Sequence, residues 1–409
     1  MSSNSRFFYG YVIIAICFLF YLFVLGMANS FGIFFAPLIE DMGWSRAATS
    51  AAFSINILTG GFFGIIGGWL NDRLGPRFVL PLLGLLSCLG YYFVAQMNEI
   101  WQFYLFFGLL VGMGTNVFVP CMSTIARWFV KRRGMMSGIA FSGSGFGLIV
   151  LPLMINWFIN IYDWHTSLIF MSAVLLLISI LAVILMRTDP YKMGLTPYGY
   201  EKTSPESNSS IKFDMLSRTV GEALKTRAFW LFAFSLMCFG FCYFAFQVHI
   251  NVHAIDSGIS STAAASILTV IGIATIIGQL GLSGLGDKFG FKKLFATGVI
   301  MVILGIIVIL FARDLWMFYI FGAFLGCSFG VAATQESPIT AWLFGLANHG
   351  TILGIFAFSF TVGSSIGPLI FGSIYDSTGS YQTAFYIALV LAGCSLILSL
   401  FLKRSIYNK

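Results

Sequence analysis

Two short polar stretches, one in each half of the chain and 215 residues apart, carry groups that could form a gate. In each stretch an acid directly precedes a base, a glycine follows three positions after the acid, and a second base follows at five. Insertion scales assign about 3 kcal/mol to a charge at bilayer depth, so charges beside apolar segments indicate function. An acid-base pair could lock one arrangement of helices, whereas a solvated polar turn is the plain alternative. The candidate gating residues are Asp72, Arg73 and Arg77 in the first stretch and Asp287, Lys288 and Lys292 in the second.

Three more titratable side chains lie within apolar segments and could couple a proton. Glu336 could carry a proton or pair with the basic cluster 127–133; a carboxylate facing water is the alternative. His249 and His253 lie four residues apart, hence on one helix face. Such a pair can bind a metal or titrate near neutral pH, but no third ligand accompanies it, so we predict no metal site. Proton sensing, substrate contact and interfacial packing stay open for His249, and we take His249 and Glu336 as the coupling candidates.

Neutral polar side chains in the middle of apolar segments are candidates for holding a substrate. Their alternative role is hydrogen bonding between helices, which contributes about 0.6 kcal/mol per bond on average. The substrate-binding candidates are Gln279, Asn116, Asn29, Gln247 and Thr361.

The elements that must position all these residues are membrane helices. Of the 409 residues, 58% are hydrophobic and only 9% are charged, and the mean hydropathy is +0.92. Ordinary soluble domains contain about 25% charged residues. About twelve apolar runs of roughly 20 residues recur, each long enough to cross a hydrocarbon layer of about 30 Å as a helix. Because only helices satisfy their own backbone in lipid here, we predict an all-α membrane protein with twelve transmembrane helices.

The net charge of +7 reports orientation in the membrane rather than a nucleic-acid partner. With the amino terminus in the cytoplasm, 20 of the 22 basic residues fall on the cytoplasmic side of alternating spans. This is the positive-inside bias of short loops, so both termini are predicted to be cytoplasmic.

The seven cysteines lie inside apolar runs, which indicates neither a disulfide framework nor a metal site.

The chain repeats itself, which divides it into two halves. Beyond the polar stretches, Gly147 corresponds to Gly363 and Pro152 to Pro368 at an offset of 216. A polar segment between the halves contains Pro, Glu and Asn and is predicted to be a linker. The predicted domains are an N-terminal six-helix bundle at 1–186, a cytoplasmic linker at 187–227 and a C-terminal six-helix bundle at 228–409.

The first polar stretch, Gly68-Trp69-Leu70-Asn71-Asp72-Arg73-Leu74-Gly75-Pro76-Arg77, resembles the signature loop of the major facilitator superfamily. The resemblance implies two pseudo-symmetric six-helix bundles, a substrate site near the membrane midplane between the halves, and alternating access. It also implies a monomer without a cofactor, in which helices one, four, seven and eight line the cavity.

Finer motifs resemble the bacterial monocarboxylate and oxalate/formate antiporter branch of that superfamily. They include Tyr9-Gly10-Tyr11, Gly43-Trp44-Ser45-Arg46 and Asp376-Ser377-Thr378-Gly379-Ser380-Tyr381. The branch places an arginine in helix eight that holds the substrate carboxylate, but here that position is Gln279. An amide can still bond a carboxylate, though a charge-assisted bond is roughly twice as strong.

We therefore expect a secondary active transporter of a small organic solute in the bacterial cytoplasmic membrane. The favoured substrate is a monocarboxylate or related organic anion, moved by proton symport or by exchange for a counter-anion. The alternatives are a neutral or zwitterionic solute, such as an amino acid or nucleoside, or a siderophore. A non-transporting membrane sensor is a further alternative. The sequence shows no nucleophile-base pair and no cluster of metal ligands that would indicate an enzyme.

Overall fold

The computed structural model describes residues 8–30, 32–44, 46–200 and 218–403. These residues form apolar helices, numbered here in chain order. In the first half, α1 consists of the segments Gly10–Phe20, Tyr21–Leu25, Gly26–Ser30 and Gly32–Met42, and α4 consists of Ile100–Phe103, Tyr104–Val111, Gly112–Gly114 and Phe118–Trp128. The other helices of this half are α2 Arg46–Leu74, α3 Pro76–Val94, α5 Arg133–Ile161 and α6 Trp164–Leu185. The second half contains α7 Arg227–Asp256, α8, made of Ser261–Ile277 and Gly278–Leu282, α9 Phe291–Leu310, α10 Leu315–Phe344, α11 His349–Thr378 and α12 Gln382–Leu400.

The predicted all-α membrane fold is confirmed. Eleven helices of the described ranges are long and apolar enough to cross a membrane, and α8 contributes a shorter apolar helix, Ser266–Leu282. Short helices at Pro190–Met193, Val220–Leu224 and Leu285–Phe289 connect them.

Both polar stretches contain less turn than the sequence indicates. The helix α2 continues through Asp72 and Arg73, and the chain reverses at Gly75, whose φ is +83°. In the second half the short helix Leu285–Phe289 contains Asp287, and Gly290 has φ +100°. Residues with a side chain rarely adopt these φ values, so glycine meets a conformational need at both reversals. Each acid therefore lies on a helix, and the chain reverses at the glycine three residues later.

The described chain divides into two compact units. Unit 1 takes in Met1–Lys131, Ile139–Met215 and His349–Gly354, and unit 2 takes in Arg132–Gly138, Leu216–Asn348 and Ile355–Lys409. The first residues of α5 therefore belong to unit 2 and the rest of that helix to unit 1, whereas the first residues of α11 belong to unit 1 and the rest to unit 2. The domain limits 1–186, 187–227 and 228–409 stay a prediction.

The first part of the predicted linker is ordered against unit 1. Tyr198 forms a parallel bridge with Phe129, and its carbonyl accepts bonds from the amides of Val130 and Lys131 at 3.0 and 3.1 Å. The indole of Trp128 donates to the carbonyl of Arg187 at 3.0 Å. Residues 187–200 are therefore held against the end of α4 by these hydrogen bonds.

Candidate gating, substrate and coupling sites

The first signature acid binds the start of a helix inside unit 1. One Asp72 oxygen accepts from the amide of Gly350 at 2.9 Å, and the other accepts from the amide and hydroxyl of Thr351 at 2.8 and 2.9 Å. The Arg127 guanidinium lies 3.2 Å from the same carboxylate. Gly350 and Thr351 belong to the first turn of α11, whose amides have no partner within the helix. A carboxylate there meets both the free amides and the positive end of the helix dipole.

The second signature acid repeats this geometry inside unit 2. Asp287 accepts from the amides of Gly134 at 2.9 Å and Met135 at 3.0 Å, in the first turn of α5. Burial raises the pKa of Asp287, and the two amide bonds and the nearby Arg133 oppose this rise. The two halves therefore use the same device: an acid of one stretch holds the beginning of a distant helix.

The bases of the two stretches contact other groups than the adjacent acids. Arg77 donates to the carbonyl of Val183 at 3.0 Å, near the end of α6. Lys292 donates to the carbonyls of Leu400 and Leu402 at 2.6 and 2.9 Å, at the end of α12. Both bases thus bond carbonyls at a helix C-terminus, where a cation is favoured.

The two bases that follow the acids contact aromatic rings instead. Arg73 lies 4.2 Å from the centre of the Trp69 ring, and Lys288 lies 5.5 Å from that of Phe289. The residue that forms an ion pair with Asp72 is Arg127, which the sequence places only within a basic cluster. The gating role of all six residues stays a prediction.

The substrate candidate Asn116 lies where α4 is interrupted. The helix stops at Gly114 and restarts at Phe118, and residues 115–117 between them are not helical. The Asn116 side chain is half-buried, and its amide lies 3.4 Å from the carbonyl of Gly112. Irregular backbone at membrane depth is tolerated where it is buried in protein or lines a watered cavity. Broken helices of this kind hold substrates and ions in transporters.

Two amides on α7 have oxygens without a hydrogen-bond partner. The Oε1 atom of Gln247 and the Oδ1 atom of Asn251 are buried and unbonded among the described residues. The two residues lie four apart, so they share one face of α7. Asn251 was missed from the sequence, although its spacing from Gln247 could have indicated it.

The other substrate candidates lie in different surroundings. Gln279 is fully buried in the π-helical end of α8, and its backbone packs against Gly138 and Gly330. The Thr361 hydroxyl donates to the carbonyl of Ala357 in its own helix at 2.9 Å. The side chain of Asn29 lies outside the described part of the chain. The substrate roles of Asn29, Asn116, Gln247, Gln279 and Thr361 stay predictions.

The coupling candidate Glu336 is buried inside α10. Its side chain is 5% exposed, and its Oε1 atom has no hydrogen-bond partner in the described residues. The helix continues past it and past Pro338 to Phe344. The alternative of a carboxylate facing water is therefore wrong.

The coupling candidate His249 is held at both ring nitrogens. Its Nε2 atom lies 3.0 Å from the Pro368 carbonyl, and its Nδ1 atom lies 3.0 Å from the Tyr381 hydroxyl. A carbonyl only accepts, so Nε2 carries the hydrogen and Nδ1 of the neutral ring accepts from Tyr381. The described residues contain no group of three or more metal-ligating side chains, and His253 lies against the Phe385 ring with centroids 5.0 Å apart.

Comparison with known proteins shows what the chain is similar to. The family model of the Major Facilitator Superfamily matches residues 14–282 and 253–408. Human monocarboxylate transporter 11 is 25% identical over 96% of this chain and 83% of its own length, and rat monocarboxylate transporter 13 is 26% identical over 96% and 89%. The MFS-type transporter YhjX of Escherichia coli is 25% identical over 84% of this chain and 83% of its own.

Solved structures agree on the fold. The transporter FucP in its outward conformation has a TM-score of 0.73 at 16% identity, over 97% of this chain and 100% of its own. The human organic anion transporter MFSD10 also has a TM-score of 0.73, at 14% identity, over 95% and 99%.

Proposed function

We propose, since this chain belongs to the major facilitator superfamily of transporters, that it carries a small monocarboxylate or a related organic anion across the membrane by alternating access. The observation that supports this cargo is the similarity, over 96% of the chain, to proteins named monocarboxylate transporters. The transport is driven by proton symport or by exchange for a second anion. The protein works as a monomer without a cofactor in a bacterial cytoplasmic membrane, with both termini in the cytoplasm.

The interruption of α4 supplies groups suited to a carboxylate. The second part of α4, Phe118–Trp128, begins at the break, and its first turn presents the positive end of the helix dipole. The Asn116 amide stands beside this end and can donate a hydrogen bond. These two features offset the absence of an arginine at position 279, because a neutral donor and a helix dipole together favour an anion. In this proposal Asn116 is the principal substrate contact.

Glu336 fits the role of proton site better than His249. A buried ionised carboxylate with one oxygen that accepts no hydrogen bond carries a large desolvation cost, and a bound proton removes that cost. Any movement that brings water or a counter-charge to such a residue therefore promotes the release of its proton. His249 already uses both ring nitrogens in hydrogen bonds, which suits a structural role that ties α7 to α11 and to the start of α12.

The signature acids fit a role in gating. Each accepts two amide bonds at the start of a helix, and hydrogen bonds to a charged group contribute about 1.5 to 3 kcal/mol each. A movement that withdraws Asp72 from α11, or Asp287 from α5, breaks these bonds together. The acids therefore favour one state of the cycle.

The proposal is tested with the purified protein in liposomes. An inward-directed proton gradient should drive accumulation of radiolabelled lactate or pyruvate, and an uncoupler should abolish it. Accumulation without a proton gradient but with an outward gradient of a second carboxylate would identify exchange. Failure of both, together with binding of amino acids or nucleosides in a thermal-shift screen, would contradict the organic-anion proposal.

A neutral or zwitterionic solute is the second candidate, favoured by the amide face of α7. The oxygens of Gln247 and Asn251 have no donor among the described residues. Such oxygens accept from hydroxyl or ammonium groups and repel a carboxylate. Stabilisation by nucleosides or amino acids, but not by simple carboxylates, would support this candidate.

A further inference from the structure

A groove in unit 2 lies at the start of α7 and holds about 280 Å³. The turn that links the short helix Val220–Leu224 to α7 forms one end of the groove, with the side chains of Lys225 and Arg227. The first turns of α7 and the last turn of α12 form its walls. The residues of transport and gating named above take no part in it.

The two ends of this groove differ in chemistry. Lys225 and Arg227 are both exposed, and no acidic residue is among the groove's described lining. The acid nearest along the chain, Glu222, accepts a bond from the amide of Thr219 at 2.9 Å. The cationic end therefore carries two positive charges that no carboxylate of the lining neutralises.

The other end is apolar and runs along the membrane-spanning part of α7. Trp230 and Phe234 are 50% and 47% exposed, lie one turn apart on the same face, and have ring centroids 6.0 Å apart. Leu398 of α12 completes this wall. The Trp230 indole donates to the Leu224 carbonyl at 2.9 Å, which fixes the ring beside the cationic end. Tryptophan in this orientation is typical of the boundary between lipid headgroups and hydrocarbon.

The order of these groups matches the order of groups in an anionic phospholipid. The candidate membrane span of α7 begins at Arg227, so the two bases lie at the boundary and the aromatic wall lies inside the span. The N-cap Thr226 accepts from the amide of Phe229, and the other first-turn amides of α7 have no partner within the helix. We infer that the groove binds one anionic phospholipid, with the phosphate at Lys225 and Arg227 and an acyl chain along Trp230 and Phe234. Basic pockets between membrane helices bind such headgroups.

A soluble anion fits the groove less well than a lipid does. A free phosphate would use only the cationic end and would make no contact with the aromatic wall. A basic site that continues into an apolar groove within a membrane span suits a ligand with both characters. The lipid therefore accounts for both ends, and a soluble anion accounts for one.

The test uses the full-length protein, purified and delipidated in detergent, with phospholipids brominated on their acyl chains. Fluorescence of wild type minus that of Trp230→Phe isolates the Trp230 signal. Brominated phosphatidylglycerol should quench this signal at a concentration at least about fivefold lower than brominated phosphatidylcholine does. The double substitution Lys225→Ala with Arg227→Ala should remove the difference. The charge-preserving pair Lys225→Arg with Arg227→Lys, and the exposed control Lys192→Ala, should keep it.

Two results would overturn the inference. Equal quenching of Trp230 by both lipids in the wild type would show that the bases select no headgroup. Displacement of phosphatidylglycerol by inorganic phosphate at equal concentration would show that a soluble anion occupies the site. If the double alanine variant unfolds in a thermal scan, the wild-type lipid comparison and the charge-preserving pair still decide the outcome.

Discussion

Asp72 uses both carboxylate oxygens at the start of α11, and this determines what its removal costs. Asp72→Ala leaves the amides of Gly350 and Thr351 without their acceptor. Loss of an N-terminal cap costs about 0.5 to 2 kcal/mol of stability. We expect a lower melting temperature and a slower uptake rate, both measured on purified protein. Glu40→Ala, at an exposed acid of α1, should change neither quantity. An unchanged melting temperature for Asp72→Ala would contradict the capping role.

The contribution of the second signature acid, Asp287, to folding stability depends on pH. Burial raises the pKa of this carboxyl above its ordinary value of 3.8. The folded state therefore binds the proton more tightly than the unfolded chain, so this group favours folding at low pH. Its contribution falls as pH rises from about 3.8 through the raised pKa.

This pH dependence should be visible in thermal unfolding. Relative to Asp287→Asn, which does not titrate, the wild type should lose melting temperature as the pH is raised above about 4. The measurement is a series of thermal scans between pH 4 and 7 on both proteins. A difference between them that is constant across the series would contradict the raised pKa.

Glu336 and His249 are distinguished by a pair of conservative substitutions. Glu336→Gln keeps the shape of the side chain and loses the exchangeable proton. We expect it to abolish accumulation driven by a pH gradient and to leave counterflow of the substrate intact, as measured in liposomes.

His249→Gln is the matched control for the other coupling candidate. If His249 has the structural role that its two bonds indicate, the substitution lowers the melting temperature and reduces both activities in parallel. Loss of gradient-driven accumulation alone in His249→Gln, with normal behaviour of Glu336→Gln, would transfer the coupling role to the histidine.

At the scale of elements, hydropathy located the spans but not their ends or their interruptions. The helix α10 incorporates a glutamate and a proline near its end, Glu336 and Pro338. A proline removes one backbone bond from a helix but does not terminate it when neighbouring helices support the turn. The break in α4 was missed for a different reason. Gly114, Thr115 and Asn116 lie at the break, but a hydropathy average over a whole span does not register a loss of helix at three residues.

The break in α4 leads to a prediction for the substrate. Asn116→Ala removes the amide donor beside the restart of the helix at Phe118. The loss of one hydrogen bond to a charged ligand is worth about 1.5 to 3 kcal/mol, which is about tenfold or more in affinity. We therefore expect the KM for uptake to rise by about tenfold with little change in melting temperature.

The control for that prediction is the neighbouring hydroxyl. Thr115 donates to the Gly112 carbonyl at 2.8 Å, so Thr115→Val tests the local backbone without touching the amide. A KM that rises equally in both variants would assign the effect to the shape of the break rather than to Asn116.

At the scale of the whole molecule, composition and internal repetition were sufficient to predict the helical membrane class. The twelve apolar segments and the repeated signature stretch predicted the helical class, and the superfamily match confirms it. The gating partners could not be predicted in the same way. Asp72 and Gly350 are 278 residues apart in the chain, and nothing in a single sequence marks a backbone amide as the partner of a distant acid. Arg127 was equally indistinct among the bases of 127–133.

The orientation of the molecule in the membrane is the remaining prediction at this scale. With both termini cytoplasmic, 20 of 22 bases lie inside, and Arg313 lies in an outer loop between α9 and α10. Alkaline phosphatase is active only outside the cytoplasm, and green fluorescent protein becomes fluorescent mainly within it. A fusion of the phosphatase after Arg313 should therefore be active, whereas a fusion at the carboxyl terminus should be inactive and its fluorescent counterpart bright. An active phosphatase at the carboxyl terminus would reverse the orientation, because the distribution of basic residues would then oppose the bias that orients short loops.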